Sequence, residues 1–202
     1  MGFKQKGFNL PLEGERMKSE ITVMEKIIGN QNLRLERPSE SLYQKFSLFV
    51  EDMRANNQTL WAPYLPKENE KPLDFVNRLL KRETEAEAPL VPETIYWATF
   101  DGHVVGRISL RHQLEGNLHK IGGHIGFEVS PKWRRKGFAT EMLRLILLTD
   151  KAKAIGKLLL TCSPQNEASN KTIISNNGKL TQTVFVEIVQ EERNHYWIDL
   201  NL

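Results

Sequence analysis

The stretch from His124 to Cys162 constrains this chain more than any other. It reads as a short strand ending at Val129, a basic turn, a long apolar helix over 137–153, and a second apolar strand over Lys157 to Cys162. A strand, a helix and a strand in succession form a crossover, which is right-handed and sets the flanking strands parallel when they share a sheet. The helix carries Phe138, Ala139, Met142, Leu143, Leu145, Ile146, Leu147, Leu148 and Ala152. That apolar surface is too wide for one stripe, so most of its circumference is predicted to be buried. Gly156 is the predicted stop.

Antiparallel elements surround this unit. Leu33 to Glu36 alternates like a strand, and Pro38-Ser39-Glu40 opens a helix with Leu42, Phe46, Phe49, Val50 and Met53 on one stripe. A proline-bounded aromatic loop with Trp61 and Tyr64 precedes a short helix over 73–80. Two β-rich runs, Thr94 to Phe100 and His103 to Leu110, flank Asp101-Gly102, a strong hairpin signal because the tight turn needs positive φ. A helix over 166–176 ends in Asn177-Gly178, and strands over 179–189 and 195–200 finish the chain. The predicted order is β-α-α-β-β-β-α-β-α-β-β, an α/β (α+β) domain over 33–202 with a mostly antiparallel sheet. Residues 1–32 are weakly patterned and read as an extension, in which Ile21 to Met24 and Ile27-Ile28 suit a short strand or helix.

Composition narrows the function classes. With 202 residues, 40% of them apolar and 26% charged, the chain is ordinary globular material. A net charge of +3 is too small to argue for nucleic acid. The one cysteine, Cys162, excludes an internal disulfide and fits a reducing, cytoplasmic setting. Met1-Gly2-Phe3-Lys4-Gln5-Lys6 lacks the apolar core of a secretory signal, and no apolar run reaches membrane-span length. His103, His112, His119 and His124 match no zinc spacing, so no metal is expected.

The chemistry concentrates in Ser130 to Thr140. The first turn of a helix has unpaired N–H groups and a partial positive charge. Gly137 has no Cβ to block that backbone, Ala139 is small, and Arg134, Arg135 and Lys136 add charge. Such a turn suits a pyrophosphate, at roughly 1.5–3 kcal/mol for each charge-assisted hydrogen bond. A solvated basic loop ahead of a core helix is the bland alternative.

Arg134-x-x-Gly137-x-Ala139 after a strand resembles the Gln/Arg-x-x-Gly-x-Gly/Ala signature of the GNAT family of N-acetyltransferases. Asn166-Glu167-Ala168-Ser169, followed by Asn176-Asn177-Gly178, is similar to the family's second helix motif. The resemblance runs from about Leu33 to the C-terminus and is nearest to uncharacterised bacterial predicted acetyltransferases. It implies a seven-stranded mixed sheet with helices on both faces and a splayed parallel strand pair. It also implies acetyl-CoA as donor substrate, with its pantetheine arm along the backbone of Phe127 and Val129. The pyrophosphate would sit on residues 134–140, namely Arg134, Arg135, Lys136, Gly137, Phe138, Ala139 and Thr140, with Asn166 beside the cofactor. The implied acceptor is a small-molecule or peptide amine, with neither nucleic acid nor membrane as partner, and a homodimer stays open.

In this family the amine attacks the thioester directly. A lysine-like amine, with a pKa of about 10.4, costs about 4–5 kcal/mol to deprotonate at pH 7, against about 1 for an α-amine. His124 stands where the family often has a glutamate and has a pKa suited to base work; a structural histidine is the alternative. Glu128, two alternations on, is the second base candidate. Ile173 occupies the place of the family's acidic tyrosine, and Tyr196 on the last strand is the candidate replacement. A non-catalytic acyl-CoA-binding module of the same fold is the alternative function. Trp61, Tyr64 and Trp97 fit either an acceptor pocket or the core.

Overall fold

A computed structural model describes residues 24–28 and 31–201. Among the described residues eight strands form two sheets, with helices on both faces. The first sheet runs β1 (Met24–Ile28), β2 (Gln31–Glu36), β3 (Glu93–Phe100), β4 (His103–Arg111) and β5 (Ile125–Val129), each antiparallel to its neighbour. The second has the order β6 (Lys157–Cys162), β8 (Glu191–Asp199), β7 (Lys179–Val186), also antiparallel. The helices are α1 (Glu40–Ala55), α2 (Pro72–Lys81), α3 (Phe138–Leu147), α4 (Asp150–Ile155) and α5 (Glu167–Ile174).

Strand alternation divides the interior into two cores. On β3, Ile95 and Trp97 face α1 and α2, where Trp97 stacks on Phe46 at 4.3 Å between ring centroids. Ala98 faces the opposite core, with α3, α4 and α5 over Val105, Ile108, Leu110 and the β6 leucines. Trp97 is therefore a core residue, at 0% exposure. Burying each such side chain contributes about 1.5–3 kcal/mol.

Asp101 and Gly102 both take positive φ, 49° and 74°, and close the predicted hairpin. The single helix predicted over 137–153 is two helices. The Thr149 hydroxyl accepts the Ala152 N–H and caps α4 after α3 has ended, so a polar N-cap wins over continuous apolar patterning. The sheet also begins before Leu33, because β1 pairs along β2 from Met24↔Leu35 to Ile28↔Gln31. The remaining leader, 1–23, lies outside the described residues.

The strand pair expected to splay does so: β5 and β6 lie in different sheets. Among the described residues their only bridge is Gly123↔Leu160, of antiparallel type. Gly122 and Gly123, with φ of 103° and 62°, turn the chain there. A Cβ on Gly123 would come within 2.3 Å of the Leu159 carbonyl oxygen, so glycine is required by contact as well as by torsion.

Candidate acyl-transfer site

His124 holds the two sheets at the point where they part. Its N–H donates to the Leu159 carbonyl at 2.7 Å, and its Nδ1 accepts the Leu159 N–H at 2.9 Å. The imidazole thus replaces one backbone rung. Burial, with the positive charges of His119 and Arg111 nearby, pushes its pKa down to about 4. Protonating Nδ1 would also displace the Leu159 N–H. The neutral ring is favoured in the folded state, so its stabilisation is complete above the unfolded value of about 6.5 and drains away as pH falls toward 4. We expect the thermal midpoint to drop more between pH 7 and pH 5 in the wild type than in His124→Gln, whose amide oxygen can still accept the Leu159 N–H. Equal drops would remove this role.

Beyond the clamp, β5 has a free edge. Ser130 N–H bonds to Val105 O, and Arg111 N–H bonds to His124 O. Antiparallel alternation then points the backbone groups of 124, 126, 128 and 130 at β4, and those of Ile125, Phe127 and Val129 at the gap facing β6. The Val129 carbonyl accepts Arg134 Nε at 3.0 Å, which leaves the Phe127 amide, the Phe127 carbonyl and the Val129 amide along the edge.

That edge leads to the basic turn. Gly137 is the N-cap of α3 at φ 83°, and no side chain caps the helix. The first intrahelical bond runs from the Glu141 N–H to the Gly137 carbonyl. The amides of Phe138, Ala139 and Thr140 lie ahead of that bond. A Cβ built on Gly137 meets nothing within 4 Å. Residues 134–137 are exposed. Arg134 differs from its neighbours: it bonds Val129 and, through Nη2, Gln58, so it is a strut bracing the turn. Asp52 on α1 holds the other side, accepting from the Ser130 hydroxyl and the Lys132 N–H. Lys136 lies over the Trp133 ring at 4.7 Å. Asn166 caps α5, its Oδ1 accepting the Ser169 N–H at 3.1 Å.

A cavity of about 650 Å³ opens between the sheets. Its lining includes Ile125 to Glu128, Leu160 and Thr161 from the two strands, and Ser169 and Ile173 from α5. Trp61, Tyr64, Arg82 and Glu93 wall the opposite end. Glu128 points here, with its Oε2 accepting Arg107 Nε at 2.7 Å and Nη2 at 2.5 Å. Arg107 is buried, donates to Ser109 Oγ, and lies over the Tyr64 ring at 3.7 Å. Burial opposes its charge, but Glu128, Tyr64 and Glu93 outweigh burial and raise its pKa above the ordinary arginine value. The Tyr64 hydroxyl in turn donates to Glu93, which pairs with Arg82. Sequence reading named Glu128 and Tyr64 but missed Arg107, Arg82 and Glu93, which link and flank them. The one signal was a charged residue inside the apolar β4 run.

Tyr196 is held elsewhere. Its hydroxyl donates to Asn170 Oδ1 at 2.6 Å, it is buried, and it is absent from the cavity lining. Burial raises its pKa. Cys162 points at the same Asn170, and burial pushes its thiol up to about 11, which suits a core residue. No group of three metal-ligating side chains forms among the described residues, and none of their helices is long and apolar enough to cross a membrane.

The acetyltransferase (GNAT) family profile matches residues 53–173, which include the open strand edge and the uncapped helix. The chain belongs to the GNAT family. Solved structures agree on the fold of this GNAT chain. The microcin self-immunity acetyltransferase MccE, in complex with acetyl-CoA and AMP, superposes with a TM-score of 0.65 at 14% identity, over 90% of this chain and 99% of that one. The ribosomal α-N-protein acetyltransferase RimL with coenzyme A gives 0.63 at 16% identity, over 89% and 98%. Mycobacterium smegmatis RimJ, with a CoA-disulfide, gives 0.60 at 15% identity, over 89% and 87%. No curated protein sequence matches.

Proposed function

We propose that this GNAT chain moves an acetyl group from acetyl-CoA to a primary amine by direct attack on the thioester. One observation carries the reading: a β5 edge unpaired at Phe127 lies between an uncapped, glycine-started helix and a cavity that contains a carboxylate. The pantetheine lies along Phe127 and Val129 like an added strand. The pyrophosphate takes the amides at 137–140 with Arg135 and Lys136 in attendance.

The acceptor enters from the Trp61 and Tyr64 end, toward Glu128. The amine nitrogen bonds to the carbonyl carbon, whose oxygen is polarised by a β5-edge amide, and the carbon–sulfur bond breaks. The proton lost by nitrogen passes to Glu128, directly or through one water, because Oε2 alone is engaged by Arg107. The departing thiolate can take its proton from water. Ser169 is a hydroxyl of α5 on the cavity wall and can hydrogen-bond the sulfur, where Ile173 cannot. We assign His124 and Tyr196 to structure, since both are engaged and neither lines the cavity.

Free-thiol release from acetyl-CoA across an amine panel tests this. Release is expected with at least one amine class, and amines of lower pKa should react faster at pH 7, with the gap narrowing toward pH 9. Acetyl-CoA binding without thiol release on every amine would establish the non-catalytic module instead.

A further inference from the structure

One cation of the cavity has no carboxylate partner among the described residues. Four arginines line the cavity: Arg82, Arg107, Arg111 and Arg193. Three have carboxylate partners, Glu93 for Arg82, Glu128 for Arg107 and Glu191 for Arg193. Arg111 has none among the described residues. Its Nη1 bonds only neutral oxygens, the carbonyls of Gly123 at 2.9 Å and Gly122 at 3.4 Å.

The space beside it is shaped by Gly126. A Cβ built on Gly126 would lie 3.7 Å from Nη2 of Arg107 and 3.7 Å from Nη2 of Arg111. The glycine therefore leaves a slot over the strand between two guanidinium groups. One is neutralised by Glu128, and the other still carries net charge. Glu128 is two residues along the same strand face, about 6–7 Å away by strand rise. Paired guanidinium groups suit a planar or tetrahedral oxyanion, because their N–H donors are fixed in plane.

We propose that the acceptor is a small amine that itself carries an anionic group, a carboxylate or a phosphate. That group sits over Gly126 between Arg107 and Arg111 while the amine addresses Glu128. This rests on the acyl-transfer reading for the amine end. It makes the acceptor's charge, and not its bulk, the main determinant of selection. The cavity must also admit the end of the pantetheine, which leaves room for a compact acceptor head only.

The test compares matched amines on the full chain. Glycine is paired with glycinamide and phosphoethanolamine with ethanolamine, with kcat/KM normalised to the free-amine fraction. The anionic member of at least one pair should lead by about tenfold or more, as expected for a bidentate charged contact, and the better pair separates carboxylate from phosphate. Arg111→Gln should abolish that lead, since the anionic group loses one of its two guanidinium contacts. Because Arg111 also braces the 122–123 turn, Gly126→Ala is the second variant. Its methyl makes only ordinary contacts in the fold yet occupies the slot, so the lead should fall with the thermal midpoint preserved.

Binding gives an independent readout. Calorimetry of the CoA-loaded protein should show N-acetylglycine or N-acetylphosphoethanolamine binding more tightly than its neutral counterpart, and Gly126→Ala should erase the difference. Thiol release on no amine, with this binding preference intact, would overturn the transferase reading alone. Equal kcat/KM and equal binding within both pairs would overturn the anion slot. So would a lead confined to acidic peptides, which would make the acceptor a polypeptide.

Discussion

Glu128→Gln should lower kcat by about 10²-fold, the usual contribution of a positioned base, while leaving the KM for acetyl-CoA within about threefold. Two effects separate in this variant. The glutamine keeps the shape of the side chain and can still accept one hydrogen bond from Arg107. It cannot take a proton, and it leaves the Arg107 charge uncompensated beneath the cavity. Breaking a buried pair costs about 3–5 kcal/mol, but the Glu128 side chain is 31% exposed, so a loss nearer 2 is expected. For a chain of this size that lowers the thermal midpoint by about 4–8 °C. Rate measured well below that midpoint, with acetyl-CoA saturating, isolates the chemical defect. A kcat within about threefold of wild type would remove Glu128 as the base.

The second large effect belongs to Gly137. Gly137→Ala should weaken acetyl-CoA binding by at least about tenfold, the loss of roughly one charge-assisted hydrogen bond. The new methyl meets no protein atom, so the only neighbour it can disturb is a ligand approaching the α3 amides. The positive φ of 83° adds a folding strain of about 1–2 kcal/mol, which a thermal melt measures separately. The effect on binding should also depend on salt, because the accompanying charges of Arg135 and Lys136 are exposed. Unchanged affinity in a folded variant would place the pyrophosphate elsewhere.

The parts of this molecule that the sequence discloses are those written in local patterns. The Asp101-Gly102 hairpin needs only two torsions and two β-rich flanks. The uncapped start of α3 is visible as a glycine between a basic run and an apolar run. The Asn177-Gly178 turn after α5 is equally local. What stayed hidden depends on partners far along the chain. His124 looks like a base because its chemistry suits one, yet Leu159, 35 residues on, engages its ring. Arg134 looks like a phosphate ligand because it stands in a basic run before a helix, yet Val129 and Gln58 hold it. Tyr196 has the right functional group, and Asn170 has already taken its proton donor. In each case a hydrogen bond outside the local pattern engages the group.

The break between α3 and α4 has a different origin. Leu145 to Leu148 continues the apolar pattern, and Thr149 alone marks the interruption. Threonine inside a helix is only mildly unfavourable, so its use as a cap depends on how the following turn packs against the sheet. Arg107 and Arg111 raise a related point. A charge within an apolar strand run signals a lined cavity or a buried pair, and only the fold says which. Here the same strand contains both.

One structure of the protein crystallised with acetyl-CoA tests the central claim most directly. The pyrophosphate oxygens should lie within hydrogen-bond distance of the Gly137 to Thr140 amides, and the pantetheine amides should pair with Phe127 and Val129, delivering the thioester to within reach of Glu128. A cofactor bound away from that helix start, or β5 and β6 drawn together so that the strand edge is closed to the thioester, would contradict it.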